Sequence, residues 1–204
     1  MRKSINNQNA MDEIRFLYET YLGDEYPLST LFNQYNKKYG PEDILLQREE
    51  RAIKQESLIK KYGRPLICLR VNYPGVDKNN EITLGIMKVF CAVIFKEFSN
   101  KILHSDFDIA AEGPILILVI NELAVNVKKA ALKLEENHFL GRCVDIDVYS
   151  KEGIGLSRRD LGLKERKCYI CGDTAQNCVR QSRHNIEDVR DFIKDKYESY
   201  LKRR

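Results

Sequence analysis

Six segments between residues 64 and 149 occur in an order that restricts the fold more than any other feature of the chain. Residues 64–73 read as a strand entered at Pro65 and ended by Pro74-Gly75. Lys78-Asn79-Asn80-Glu81 caps a helix running to about Ser99, with Ile82, Ile86, Val89, Phe90 and Val93 on one stripe. Residues 103–111 and 115–120 read as strands around Glu112-Gly113-Pro114. Asn121 is placed to cap a helix with Leu123, Val127, Ala130, Ala131 and Leu134 in period, and residues 142–149 are the next strand. Strand, helix, strand, strand, helix, strand is the split βαβ order of an α+β sandwich. The expected fold is α+β: a mixed sheet of four to five strands with flanking helices and a cysteine-containing loop. The fifth strand would follow Gly153 and end near Ser157.

The flanks read as helices. Residues 1–10 are polar and expected to fray, 11–22 carry Ile14, Leu17, Tyr18 and Tyr21 at helical spacing, and Gly23 is a stop. A second helix opens at Pro41 with Glu42 and Asp43 in its first turn and ends at Gly63 after Lys60 and Lys61. Asn185 begins a last amphipathic helix with Ile186, Val189, Phe192, Ile193 and Tyr197 on one side. Residues 1–40 are thus expected to be a helical extension and residues 41–204 the main domain. Hydrophobic residues at 43% and charged ones at 31% argue against a disordered or fibrous chain. A net charge of +4 does not demand nucleic acid. The longest apolar run, Pro114–Ile120, is too short to span a bilayer, and the first twenty residues lack a signal-peptide core. A cytoplasmic chain with mostly reduced cysteines is the expectation.

Chemistry concentrates between His138 and His184. On a strand, Asp145 and Asp147 project to one face while Val144, Ile146 and Val148 point to the other. Two carboxylates this close repel unless a cation lies between them, and magnesium suits such oxygen ligands. That pairing serves phosphoryl and nucleotidyl transfer, because the metal neutralises phosphate charge. The competing reading is a pair of solvated acids on an edge strand. Asp160 is either a third ligand or a turn cap.

Arg142, Arg158, Arg159, Arg166, Lys167, Arg180 and Arg183 surround the acids in sequence, and guanidinium forks fit phosphate oxygens. His138, just before Gly141-Arg142, is a candidate phosphate or base contact. Arg48, Arg51 and Gln55 adjoin on the Pro41 helix, where a solvated charged face is the plainer reading. Cys168-x2-Cys171-x6-Cys178-x5-His184 has the composition of a tetrahedral zinc site; a redox pair and plain loop cysteines are the alternatives. Such a zinc would be structural, fixing the loop that carries Arg166, Arg180 and Arg183. Cys68, Cys91 and Cys143 lie in apolar segments and read as core.

Together, His138-x-Leu140-Gly141-Arg142-x-x-Asp145-Ile146-Asp147-Val148, Leu156-Ser157-Arg158-Arg159-Asp160, Arg166-x-Cys168-x-x-Cys171, Cys178-x-Arg180 and His184 resemble the CitX-type citrate lyase holo-acyl-carrier-protein synthases, also called apo-citrate lyase phosphoribosyl-dephospho-CoA transferases. The resemblance extends through Arg48, Arg51, Gln55, Pro74-Gly75, Lys78 and Glu112-Gly113-Pro114, covering roughly residues 40 to 195. It implies that residues 41–204 form a catalytic nucleotidyltransferase domain. A triphosphoribosyl-dephospho-CoA donor would lose diphosphate, its remainder becoming ester-linked to a serine of the citrate lyase acyl carrier protein. Asp145 and Asp147 would hold magnesium, with Asp145, Asp147 and Asp160 as the catalytic acids. Arg48, Arg51, Lys78, His138, Gly141, Arg142, Arg158, Arg159, Arg166 and Arg180 would bind the donor. Neither nucleic acid nor membrane is expected as a partner. Gly141-Arg142 stands where the wider nucleotidyltransferase pattern often has Gly-Ser. Two other readings stay open: a zinc-containing nucleic-acid-binding module using the basic loop, and a non-catalytic assembly factor for a carrier protein.

Overall fold

The computed structural model describes residues 2–21 and 28–203, with side chains from Gln8 onward. In chain order the elements are α1 (Arg2–Tyr21), α2 (Leu28–Asn36), α3 (Pro41–Tyr62), β1 (Leu66–Val71), α4 (Glu81–Glu97), β2 (Ile102–Ala110), β3 (Gly113–Ile120), α5 (Ala124–Asn137), β4 (Val144–Tyr149), α6 (Ala175–Arg180) and α7 (Ile186–Leu201). Short 3-10 turns occupy Gly141–Cys143 and Arg159–Leu161.

The sheet order is β2-β3-β1-β4. Each neighbouring pair is antiparallel, which corrects the expected mixed sheet. The split order itself is the reason. The α4 crossover leaves a strand-wide gap between β1 and β2, and β3 folds back from β2 through Ala111-Glu112 to fill it. Among the described residues the expected fifth strand is absent: the segment before Ser157 makes only an isolated bridge, Tyr149 to Gly155, and a second isolated bridge joins Lys167 to Thr174.

One sheet face is predominantly apolar. Ile67, Leu69, Leu116, Leu118, Val144, Ile146 and Val148 pack there with Leu84, Met87, Phe90 and Ile94 of α4 and Val127 and Ala131 of α5. Each such side chain contributes about 1.5–3 kcal/mol on burial. Ala10, Ile14 and Leu17 of α1 and Leu31 of α2 enter the same core. Residues 2–10, expected to fray, are thus helical, and α2 falls within the stretch expected to be a helical extension, though no separate helix was read there. Gly23, the expected stop, lies outside the described residues. The other sheet face is covered by α3, whose Leu58 and Ile59 meet Leu66, Cys68, Ile115, Ile117 and Val119.

Capping explains most boundaries. The Asn80 side chain accepts from the N–H groups of Ile82 and Thr83, fixing the start of α4. Gly63 ends α3 at φ 59°, a left-handed conformation that glycine adopts without a Cβ penalty. Asn121 does not cap α5: Leu123 holds the N-cap position, and its N–H donates to Glu122 Oε1. As an edge strand, β4 would expose unpaired backbone groups. Side chains satisfy them instead: Ile146 N donates to Glu135 Oε1 at 3.0 Å, and Lys128 Nζ and Arg166 Nη1 donate to the carbonyls of Ile146 and Val144.

Candidate active site

The alternation of β4 decides which groups face the α3 side of the sheet. Val144, Ile146 and Val148 enter the core, so Asp145 and Asp147 point the other way. Asp145 pairs in register with Arg70 of β1, and Asp147 with Cys68, so all four side chains share that face. Helix α3 packs over β1 and β3, leaving the acids of β4 half-exposed, with side chains 32% and 40% accessible.

Two buried glutamates organise the cations around them. Glu112, in the β2–β3 turn, accepts from Arg51 Nε at 2.6 Å, Arg48 Nε at 3.3 Å and Arg70 Nη1 at 3.4 Å. Arg70 Nη2 also donates to Asp147 Oδ2 at 2.8 Å. Burial alone would raise the Glu112 carboxyl, but Arg51, with Arg70 and Arg48, outweighs it and holds the group below the usual carboxylate value. Glu135, near the end of α5, accepts from Arg158 Nη2 at 3.0 Å and pairs with Arg166. Arg166 Nη1 in turn donates to Asp145 Oδ1 at 2.5 Å. Each acid of β4 is therefore held by one guanidinium that is itself anchored on a buried glutamate. The second oxygen of each acid, Asp145 Oδ2 and Asp147 Oδ1, has no protein hydrogen-bond partner among the described residues.

Asp145 and Asp147 line a cavity of about 840 Å³. Lys128, Glu135, Asp145, Asp147, Arg158, Arg159, Arg166 and Arg180 supply its charged lining, with Glu165. Hard carboxylate oxygens with unused lone pairs, spaced two residues apart on one strand, can hold a divalent ion such as magnesium. Lys128 is 6% exposed, and burial lowers its ammonium.

Several candidates lie elsewhere. Asp160 does not line the cavity: its Oδ2 accepts from Ser157 N at 2.7 Å and Ser157 Oγ at 2.9 Å, which makes it the turn cap. His138 is not turned to phosphate. Its ring packs edge-on against Phe90 at 4.8 Å and near Tyr200 at 5.8 Å, its Nδ1 accepts from Leu140 N, and burial lowers it. Gly141 serves close packing, because a Cβ there would lie 2.3 Å from the Glu135 carbonyl oxygen. Arg142 donates to the Lys167 carbonyl and lies over the Tyr169 ring at 5.3 Å. Arg159 does line the cavity, but it is exposed there and already paired with Glu165. Arg51, with its side chain 12% accessible, and the more exposed Arg48 both reach towards the site through Glu112. Lys78 donates to the Tyr73 carbonyl, and burial, then Arg48 and Arg70, lower its ammonium.

Arg70, Glu112, Glu135 and Lys128 were not among the residues read from sequence as functional. The available signal was charge at buried spacing. Arg70 sits inside an apolar strand, and Lys128 and Glu135 fall beside the apolar stripe of α5.

The loop after Arg166 brings Cys168, Cys171, Cys178 and His184 together, their ligand atoms all within 4.8 Å of one another. Cys171 and Cys178 sulfurs are 3.4 Å apart, and His184 Nε2 is buried without a hydrogen-bond partner. The Cys171 thiol, hydrogen-bonded to the Asp173 backbone and beside Cys178 and His184, is lowered to about 6. Three sulfurs and an orphaned imidazole nitrogen can hold one tetrahedral ion. Tyr169, inside this loop, stacks on Phe192 at 4.8 Å and donates to the Arg142 carbonyl at 2.5 Å, docking the loop on α7 and the start of β4. Arg183 pairs with Asp173 at 2.7 Å, away from the acids' cavity. Cys68, Cys91 and Cys143 are fully buried, as their apolar context led one to expect. Among the described residues, no helix is long and apolar enough to cross a membrane.

Residues 41–200 match the family model of apo-citrate lyase phosphoribosyl-dephospho-CoA transferases. The chain is 35% identical over 151 residues to the protein of that name from Escherichia coli O7:K1 (strain IAI39), covering 72% of this chain and 82% of that one. The protein of the same name from Shigella boydii serotype 18 is 34% identical over the same shares. With the match running from α3 into α7, across both glutamate hubs, the acids and the Cys/His loop, the chain belongs to the apo-citrate lyase phosphoribosyl-dephospho-CoA transferase family of enzymes.

Proposed function

We propose that this chain transfers the phosphoribosyl-dephospho-CoA group from 2'-(5''-triphosphoribosyl)-3'-dephospho-CoA to a serine of the apo acyl carrier protein of citrate lyase. The serine oxygen attacks the phosphorus nearest the ribose. A new phosphate ester forms there, the adjoining phosphoanhydride bond breaks, and diphosphate leaves with the bond's electron pair. One of the two acids of β4 accepts the serine proton. The observation that carries this reading is the placement of Asp145 and Asp147, each with a free oxygen, in the wall of a cavity rimmed by arginines, in a chain of this family.

Asp145 and Asp147 would hold a magnesium ion, which, when bound, offsets phosphate charge and makes diphosphate a better leaving group. Arg70 and Arg166 hold the two carboxylates in place and limit their mutual repulsion. Arg180, exposed on the cavity wall and without an ion-pair partner among the described residues, is open to the donor's phosphates. Cys168, Cys171, Cys178 and His184 would hold a zinc ion with a closed coordination shell, keeping the loop that carries Arg166 folded over Asp145.

The test is the intact mass of the carrier after incubation with the chain, magnesium and donor. A gain equal to the donor minus diphosphate, absent with Asp145→Asn/Asp147→Asn, is expected. An unmodified carrier, with verified donor and folded enzyme, overturns the reading.

A further inference from the structure

Lys128 and Lys129 are neighbours on α5 with opposite surroundings. Lys129 is exposed, whereas Lys128 is 6% exposed and lines the cavity that Asp145 and Asp147 open on. An ammonium carries three donors. The one hydrogen bond of Lys128 Nζ among the described residues goes to the Ile146 carbonyl, at 3.4 Å, with the charges of Glu135 and Asp147 nearby but unpaired with it. Glu135, the carboxylate on the same helix face, is already committed to Arg158, Arg166 and the Ile146 N–H. A cation taken out of water with one long hydrogen bond is poorly compensated.

The charges of the lining point to what completes it. Five cations face four carboxylates there. Arg158, Arg159 and Arg166 are each matched to a carboxylate, while Lys128 and Arg180 form no ion pair among the described residues. One of these two cations is buried, the other exposed, and the two acids share their cavity. An extended polyanion fits that arrangement, and a single carboxylate does not.

We propose that Lys128 is a phosphate-binding residue of this cavity, donating to a non-bridging oxygen of the diphosphate portion of the donor. Its assignment to that portion rests on the transfer reading above. The rival role is structural: Lys128 merely caps the Ile146 carbonyl on the free edge of β4. Lys128→Gln separates the two, because the amide keeps a neutral donor for that carbonyl and removes the charge.

The experiment is calorimetric titration of inorganic diphosphate, with magnesium present, into the full chain, Lys128→Gln and the exposed control Lys129→Gln. Wild type and the control are expected to bind alike, and Lys128→Gln about tenfold or more weaker, the loss of a charge-assisted hydrogen bond. Equal binding by Lys128→Gln, or no binding by wild type, overturns the proposal. Should Lys128→Gln not fold, the wild-type chain still reports: the Lys128 ¹⁵Nζ resonance is expected to move on saturation with diphosphate, and an unmoved resonance rejects the contact. The carrier-mass experiment runs in parallel. A chain that binds diphosphate through Lys128 but leaves the carrier unmodified overturns the transfer reading alone. A chain that modifies the carrier while Lys128→Gln binds diphosphate normally overturns the Lys128 assignment alone.

Discussion

Arg70 Nη2 lies 2.8 Å from Asp147 Oδ2, and Nη1 of the same guanidinium reaches Glu112 Oε1 at 3.4 Å. A residue of β1 therefore links an acid of β4 to the β2–β3 turn, and through Arg51 to α3. The orientation of Asp147 depends on three separate parts of the chain.

Removing the acid and removing its support should have different consequences. Asp147→Asn is expected to abolish carrier modification with little change in melting temperature, since the side chain is half-exposed. Arg70→Met should lower the transfer rate about 10–100-fold, as loss of groups that orient metal ligands does. Rates at saturating donor, paired with thermal melts, check both; wild-type turnover by either variant removes that residue from the mechanism.

Glu112→Gln should destabilise the chain by about 3 kcal/mol at neutral pH, because it leaves Arg51 and Arg70 without their buried counter-charge. The Glu112 carboxyl is lowered in the folded chain from an ordinary value of 4.5. Its contribution is then present above 4.5 and lost as pH falls through the lower folded value. Urea unfolding of both proteins should accordingly show a gap that is wide at pH 7 and narrows below pH 4.5. A gap independent of pH contradicts the ionised state assigned to Glu112.

His138→Leu should keep transfer within about threefold of wild type, because the ring packs on Phe90 and meets no cavity residue. Gly141→Ala is different: the added methyl meets the backbone of Glu135 and Leu134, which cannot swing aside, and should cost about 1–3 kcal/mol. Carrier-modification rates and chemical denaturation read the two effects. A large loss of rate in His138→Leu with an unchanged melt would restore His138 as a ligand contact.

Purified, reduced protein is expected to carry about one zinc per chain by elemental analysis, and Cys178→Ser to lose it. Chelation should lower the melting temperature, and restored zinc recover it. Metal-free protein with an unchanged melt excludes the zinc assignment.

Much of this was legible in residue order. The alternation around Ile146 put both acids on one face, because a strand's side chains alternate strictly, and the strand–helix order gave the split topology. The Cys/His spacing likewise anticipated a cluster within 4.8 Å. Local rules could not reveal α2 or the true cap of α5, where tertiary packing overrides weak propensity.

What the sequence by itself determined is therefore the chemistry on offer: an acid pair on a strand, cations nearby, and four soft ligands in one loop. Tertiary structure alone decided which cations reach the acids. Arg70 and Arg166 lie 77 and 21 residues from the carboxylates they hold, and Glu112 and Glu135 act as hubs only once α3, β1 and α5 have packed. His138 and Asp160 are near the acids in sequence, yet local packing and a local turn claim their side chains. Electrostatic pairing depends on distance in space, and sequence proximity sets that distance only within a helix turn or a strand.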